Sequence, residues 1–171
     1  MIDMVAAKLA MRIKRTVPDH PASEAVLKFA LALVINALLI IILSISISLF
    51  TGRTQETIII LISFAILRQL SGGLHLKSGI WCVIGSTVII TILSLLHPTH
   101  LWIQILNVTG MLLALIYAPS RIERQSRIPS RYYPFLKASS FLLVASNLWI
   151  QSPVLALSFF MQCITLIKKR R

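Results

Sequence analysis

Charged residues vanish from long stretches of this chain and return in clusters between them. The first uncharged stretch runs from Phe29 to Phe50, 22 residues. An α-helix needs about 20 apolar residues to cross the hydrocarbon core of a bilayer. This stretch therefore predicts a transmembrane helix, with Asn36 as its one strongly polar member. A second run, Thr57 to Leu67, has 11 uncharged residues before Arg68. That is short for a crossing and predicts a span that is tilted, thinned, re-entrant or extended past Arg68. Gly79 to Leu96 and Leu101 to Ala118 follow, separated by His97-Pro98-Thr99-His100. The last stretch, Ala138 to Ile167, is interrupted at Asn147 to Pro153. It reads as two short spans forming a hairpin, the alternative being one long helix kinked at the proline. The expected fold class is all-α: a polytopic membrane bundle of about six apolar segments, some short or re-entrant.

Residues 1–20 have a different pattern. Lys8, Arg12, Lys14 and Arg15 interleave with Met4, Val5, Leu9, Met11 and Ile13. This fits a basic amphipathic helix on a membrane surface, and equally a charged lead-in that only sets orientation. Val17-Pro18-Asp19-His20-Pro21 breaks it, and Ser23 is placed to cap the next helix. Thr51 to Glu56 makes a short polar turn, and residues 119–137 form a basic, Pro-containing loop. The first long apolar run starts late, has no small-residue cleavage site and is long enough to span, so no signal peptide is expected. With no internal repeat or low-complexity segment, residues 1–171 read as a single integral membrane domain.

Composition sharpens this picture. Apolar residues make up 57% and charged residues 13%, the latter about half the share in soluble domains. The net charge is +12, from 17 Lys and Arg against 5 Asp and Glu. In a soluble protein that excess would point to nucleic acid. Here the basic residues sit between apolar runs, where they set topology instead. With both termini cytoplasmic and six crossings, 16 of the 17 fall inside and only Arg53 outside. The same arrangement puts the Arg68–Ser78 segment at the cytoplasmic face. The expected location is thus the cell membrane, multi-pass, with no nucleic-acid partner.

The chemistry is concentrated in one stretch, residues 68–82. It holds Arg68, Gln69, Ser71, Gly72, Gly73, His75, Ser78 and Cys82. Ionisable groups at membrane depth are costly and are functional candidates for that reason. A histidine within hydrogen-bond reach of a thiol takes its proton and makes it a nucleophile. His75 and Cys82 are seven residues apart, which on one straight helix is an axial offset of about 10 Å. That is too far for proton transfer, so the chain must bend back between them. Gly72, Gly73 and Gly79 permit such a bend. Cys82 is expected near the start of the third span, where a helix N-terminus favours the thiolate, with His75 on a loop folded over it. Arg68 either stabilises charge at the site or snorkels to the interface. Gln69, Ser71 or Ser78 is available to orient His75, as an Asn does in other Cys–His enzymes.

The stretch Arg68…Gly73-Leu74-His75…Ser78…Cys82 resembles the signature of the AgrB family, the accessory gene regulator B membrane peptidases. Tyr117-Ala118-Pro119, followed by a basic loop, is similar to that family's cytoplasmic loop. The resemblance implies that Cys82 is the nucleophile, His75 its general base, and Arg68 and Gly73 supporting residues. It also implies the substrate: a short quorum-sensing propeptide with an amphipathic leader and an acidic tail. Its C-terminal tail would be removed and the remainder held as a thioester on Cys82. A thiol of the peptide would then attack to release a cyclic autoinducing thiolactone. Arg121, Arg124, Arg127 and Arg131 would suit the acidic tail, although orientation alone accounts for the same charges.

The remaining candidates are blander. His97 and His100 are expected at the outer interface and His20 in a solvent-exposed linker. Cys163 reads as core packing, and Trp81, Trp102 and Trp149 as aromatic-belt residues. The two cysteines make no disulfide framework, no metal-ligand spacing appears, and no cofactor is implied. A homodimer is expected because short spans gain cover by associating. The competing reading is a non-catalytic peptide transporter or accessory subunit, with Asn36, Asn107, Asn147 and Gln162 along its path.

Overall fold

The computed structural model describes residues 2–19, 21–73, 79–120 and 129–167. Among them seven α-helices form: α1 (Ile2–Thr16), α2 (Glu24–Thr51), α3 (Thr54–Ser71), α4 (Gly79–Leu95), α5 (His100–Tyr117), α6 (Tyr133–Ile150) and α7 (Pro153–Ile164). A 3-10 turn, Ser130–Tyr132, leads into α6, and no strand occurs among the described residues. Two helices, α2 and α5, are long and apolar enough to cross a membrane. The other apolar helices are shorter or carry more polar residues. Two compact units result, one of residues 1–51 and 75–91, the other of residues 52–74 and 92–171.

In the first unit α1 packs along α2. Its inward stripe is Ile2, Ala6 and Ala10, one residue per turn and all buried. Small side chains at that spacing let two helix backbones approach closely. The lysines and arginines of α1 stay off that stripe, and Lys14 and Arg15 sit in the last turn, where the helix dipole favours cations. Pro18 follows directly. Ser23 Oγ accepts the Val26 amide at 3.3 Å, the cap anticipated from sequence. Helix α2 is polar inside and apolar outside: its buried residues are Asn36, Ser44 and Ser48, while Leu38, Ile42 and Phe50 are exposed. Where lipid is the solvent, apolar faces need no burial and polar groups turn inward.

The second unit is built on α3, α5, α6 and α7, with α7 packed against both α3 and α5. Leu67, Ala114, Ala118, Val144, Phe159, Cys163 and Leu166 form its core. Gly110 lets α5 come close: a Cβ there would lie 3.4 Å from Val144 Cγ1 and 3.8 Å from Phe160 Cα. Polar bridges cross the same interfaces. Ser63 and Ser158 hydroxyls meet at 2.7 Å between α3 and α7. Asn147 Nδ2 donates to Asn107 Oδ1 at 2.9 Å and to Ser152 O at 3.0 Å. The Ser152 amide donates back to Asn147 Oδ1 at 3.1 Å. That ring of bonds stitches the break between α6 and α7. Gln151 sits there in the left-handed region (φ 56°), Ser152 caps the Leu155 amide at 3.4 Å, and Pro153 starts α7. Two helices, rather than one kinked helix, occupy the last apolar stretch.

Candidate functional site

Helix α3 runs past Arg68 and ends at Ser71, so the second apolar run is extended by one turn. Arg68 is half-buried in its last turn and Gln69 is exposed. The Gly72 amide closes the helix on Arg68 O at 2.8 Å, with Gly72 at φ 74°. Gly73 follows at φ 131°, a region open to glycine and strained for any other residue. Space is denied there as well. A Cβ on Gly73 would lie 2.6 Å from Thr165 Oγ1 and 3.3 Å from Gln162 Nε2. The turn before the candidate catalytic segment therefore fits only glycine, for two independent reasons.

A buried polar clamp holds this turn. Gln162 of α7 is fully buried. Its Nε2 donates to Gly72 O at 2.7 Å and to Ser71 Oγ at 3.2 Å. Thr165 Oγ1 lies 3.2 Å from Gln162 Oε1 and fixes the amide from behind. Ser71 Oγ donates to Leu67 O at 2.7 Å; the hydroxyl thus faces into the second unit. Two backbone bonds then tie the turn to the end of α5: the Gly73 amide to Ser120 O at 3.0 Å, and the Ser120 amide to Ser71 O at 2.8 Å. They make an isolated parallel bridge between Gly72 and Ser120.

Cys82 lies in the first turn of α4, half-buried, as a free thiol. Gly79, the first residue of that helix, packs on Asn36 of α2: a Cβ there would lie 3.0 Å from Asn36 Oδ1 and 3.2 Å from Nδ2. His75 and Ser78 lie outside the described residues, as do Arg121, Arg124 and Arg127. Arg131 is exposed, with its guanidinium 4.8 Å from the centroid of the Tyr132 ring. Cys163 is buried in the core of the second unit. No group of three metal-ligating side chains occurs among the described residues.

Sequence reasoning gave Asn36 and Gln162 only a place along a transport path and passed over Thr165. Gln162 and Thr165 hold the Gly72–Gly73 turn, and Asn36 abuts the start of the cysteine helix. Each was visible as a polar residue inside an apolar run. Nothing in the linear order pairs α7 with residue 72, about ninety positions away.

Comparison with known proteins places the chain in a family. The profile of the family described as AgrB, Accessory gene regulator B, matches residues 6–167. An AgrB-like protein of Halalkalibacterium halodurans is 30% identical over 120 residues, covering 70% of this chain. The aligned region spans 61% of the length of that relative. No solved structure matches.

Proposed function

The chain belongs to the accessory gene regulator B family, and from that premise we propose that it is a membrane-embedded cysteine endopeptidase. Its substrate is a quorum-sensing propeptide, from which it removes the C-terminal tail. The observation that carries this is Cys82: a half-exposed thiol in the first turn of a helix, inside the region the family profile matches. The only other cysteine, Cys163, is buried in apolar packing.

In the proposed reaction His75 takes the proton of the Cys82 thiol. The thiolate attacks the carbonyl carbon of the scissile peptide bond. The tetrahedral adduct collapses, the C–N bond breaks, and the imidazolium returns its proton to the departing amine. The tail leaves and the remainder stays as a thioester on Sγ. A thiolate within the bound peptide then attacks that carbonyl, forms the ring bond and expels Cys82 as thiolate. One thioester replaces another, so little free energy is lost in the second step. A precursor with a serine in that position would give a lactone by the same route. Donors near the developing oxyanion speed both steps.

The charge asymmetry supports a cytoplasmic site, where thiols stay reduced, and the basic residues of 119–137 suit an acidic tail. Of the four polar residues in the transporter reading, Asn36 has an Oδ1 with no hydrogen-bond partner among the described residues. Asn107, Asn147 and Gln162 are all bonded within the second unit.

The test is co-expression with a propeptide that carries an amphipathic leader, a central Cys or Ser and an acidic tail. Cys82→Ala and His75→Ala should abolish tail removal while the protein still inserts at wild-type level. Undiminished cleavage by Cys82→Ala would remove the enzyme from this account.

A further inference from the structure

Helix α1 docks on α2 through one stripe, Ile2, Ala6 and Ala10. Its opposite side faces outward and is neither polar nor apolar. Two neighbouring rows at helical spacing, Met4-Lys8-Met11-Arg15 and Val5-Leu9-Arg12, are exposed throughout. Asp3 lies off this face, in the row of Ala6 and Ala10. Lys8, Arg12 and Arg15 form no ion pair among the described residues. The face thus carries three uncompensated cations set among apolar side chains.

These residues are ordered along the axis as well. Ile2 meets Asn36 beside Gly79, and a short connection joins Thr16 to Glu24, so α1 folds back along the first half of α2. The end near Asn36 carries Met4, Val5 and Leu9, and the end near Glu24 carries Arg12 and Arg15. Asn36 lies inside the charge-free stretch that starts at Phe29, beyond that start by a rise of about 10 Å. Glu24 and Lys28 precede the stretch. Apolar side chains of α1 therefore stand level with the part of α2 suited to hydrocarbon, and its cations level with the part suited to the interface.

Such a face asks for a partner that is negative at one level and apolar at the next. An acidic peptide would match the cations but leave Met4, Val5 and Leu9 in water. A second copy of this chain brings a net charge of +12 and is repelled. A leaflet containing anionic phospholipid supplies both parts. We propose that the outward face of α1 is a docking surface for anionic phospholipid, with Lys8, Arg12 and Arg15 on the headgroup phosphates and Met4, Val5 and Leu9 among the acyl chains. The helix then leans into the leaflet beside α2 and does not lie flat on it. This needs only the membrane setting and is independent of the peptidase reading.

The test uses the full chain reconstituted in phosphatidylcholine vesicles. These are doped with either phosphatidylglycerol or phosphatidylcholine, each carrying the same diazirine high in one acyl chain. After illumination the modified residues are located by mass spectrometry. The α1 segment should take the phosphatidylglycerol label over the other by roughly tenfold or more, and the preference should shrink as salt rises. Arg12→Gln should lower it by roughly fivefold, and the triple variant Lys8→Gln/Arg12→Gln/Arg15→Gln should abolish it. Arg12→Lys/Arg15→Lys keeps the charge and should keep the preference. Met4→Gln/Leu9→Gln should weaken both labels. Equal labelling by the two lipids, or a preference that survives the triple variant, overturns the proposal. So does undiminished labelling of Met4→Gln/Leu9→Gln, which would leave a charge-only surface suited to an acidic peptide. Loss of the preference in the lysine variant overturns it as well, since charge is then not what the label reads.

Discussion

At Gly73 two constraints meet in one residue: a backbone at φ 131° and a wall of Thr165 and Gln162 where a side chain would stand. Gly73→Ala should cost about 1–3 kcal/mol of stability, read as a lower melting temperature in detergent, and should reduce propeptide cleavage. Adding Thr165→Ala should recover part of that loss. It removes the 2.6 Å clash but leaves the strained φ, and the double-mutant cycle separates the two terms. The sequence motif singled out Gly73 without its reason, because the obstructing atoms belong to the far end of the chain. Cys82 was more legible. A lone thiol at the start of an apolar run, with glycine three residues before it, is a local pattern, and the helix does begin at Gly79.

Among elements, α7 is the one that holds the Gly72–Gly73 turn. It is 12 residues long and presents Ser158 and Gln162 to α3. Gln162→Leu fills nearly the same volume and leaves Gly72 O without its buried donor. The expected cost is about 1–3 kcal/mol, with loss of cleavage despite an intact Cys82. Gln162→Glu offers an acceptor where a donor is needed and should not rescue. Thermal melting and a cleavage assay together check both variants. Element boundaries were readable wherever proline or a charge marked them. Pro18 and Pro153 fall at helix ends as expected, and Ser23 caps α2. The end of α3 was not readable, since a half-buried arginine inside a helix and one just beyond it look alike in sequence. Packing partners were hidden for a deeper reason. In an apolar solvent hydrophobic periodicity no longer marks the inward face, and only sparse polar or small residues do. Asn36, Ser44 and Ser48 on α2, and Ala6 and Ala10 on α1, are such marks.

For the whole molecule the dominant quantity is the distribution of positive charge. If 16 of 17 basic residues share the cytoplasmic side, Cys82 should react with a membrane-permeant maleimide in intact cells. A charged, impermeant maleimide added outside should leave it unmodified until the cells are opened. External labelling would reverse the orientation. Both apolar helices long enough to span and the basic clusters were evident from the linear pattern, because they answer to the bilayer and not to a fold. The bridge between Gly72 and Ser120 was not, and it has a mechanical consequence. The strand of chain leaving α3 toward His75 and the one leaving α5 toward the arginine-rich loop are laced together at their roots. A pull on the chain beyond Ser120 is therefore passed straight to the turn at Ser71–Gly73 through two backbone hydrogen bonds, without travelling the length of α5.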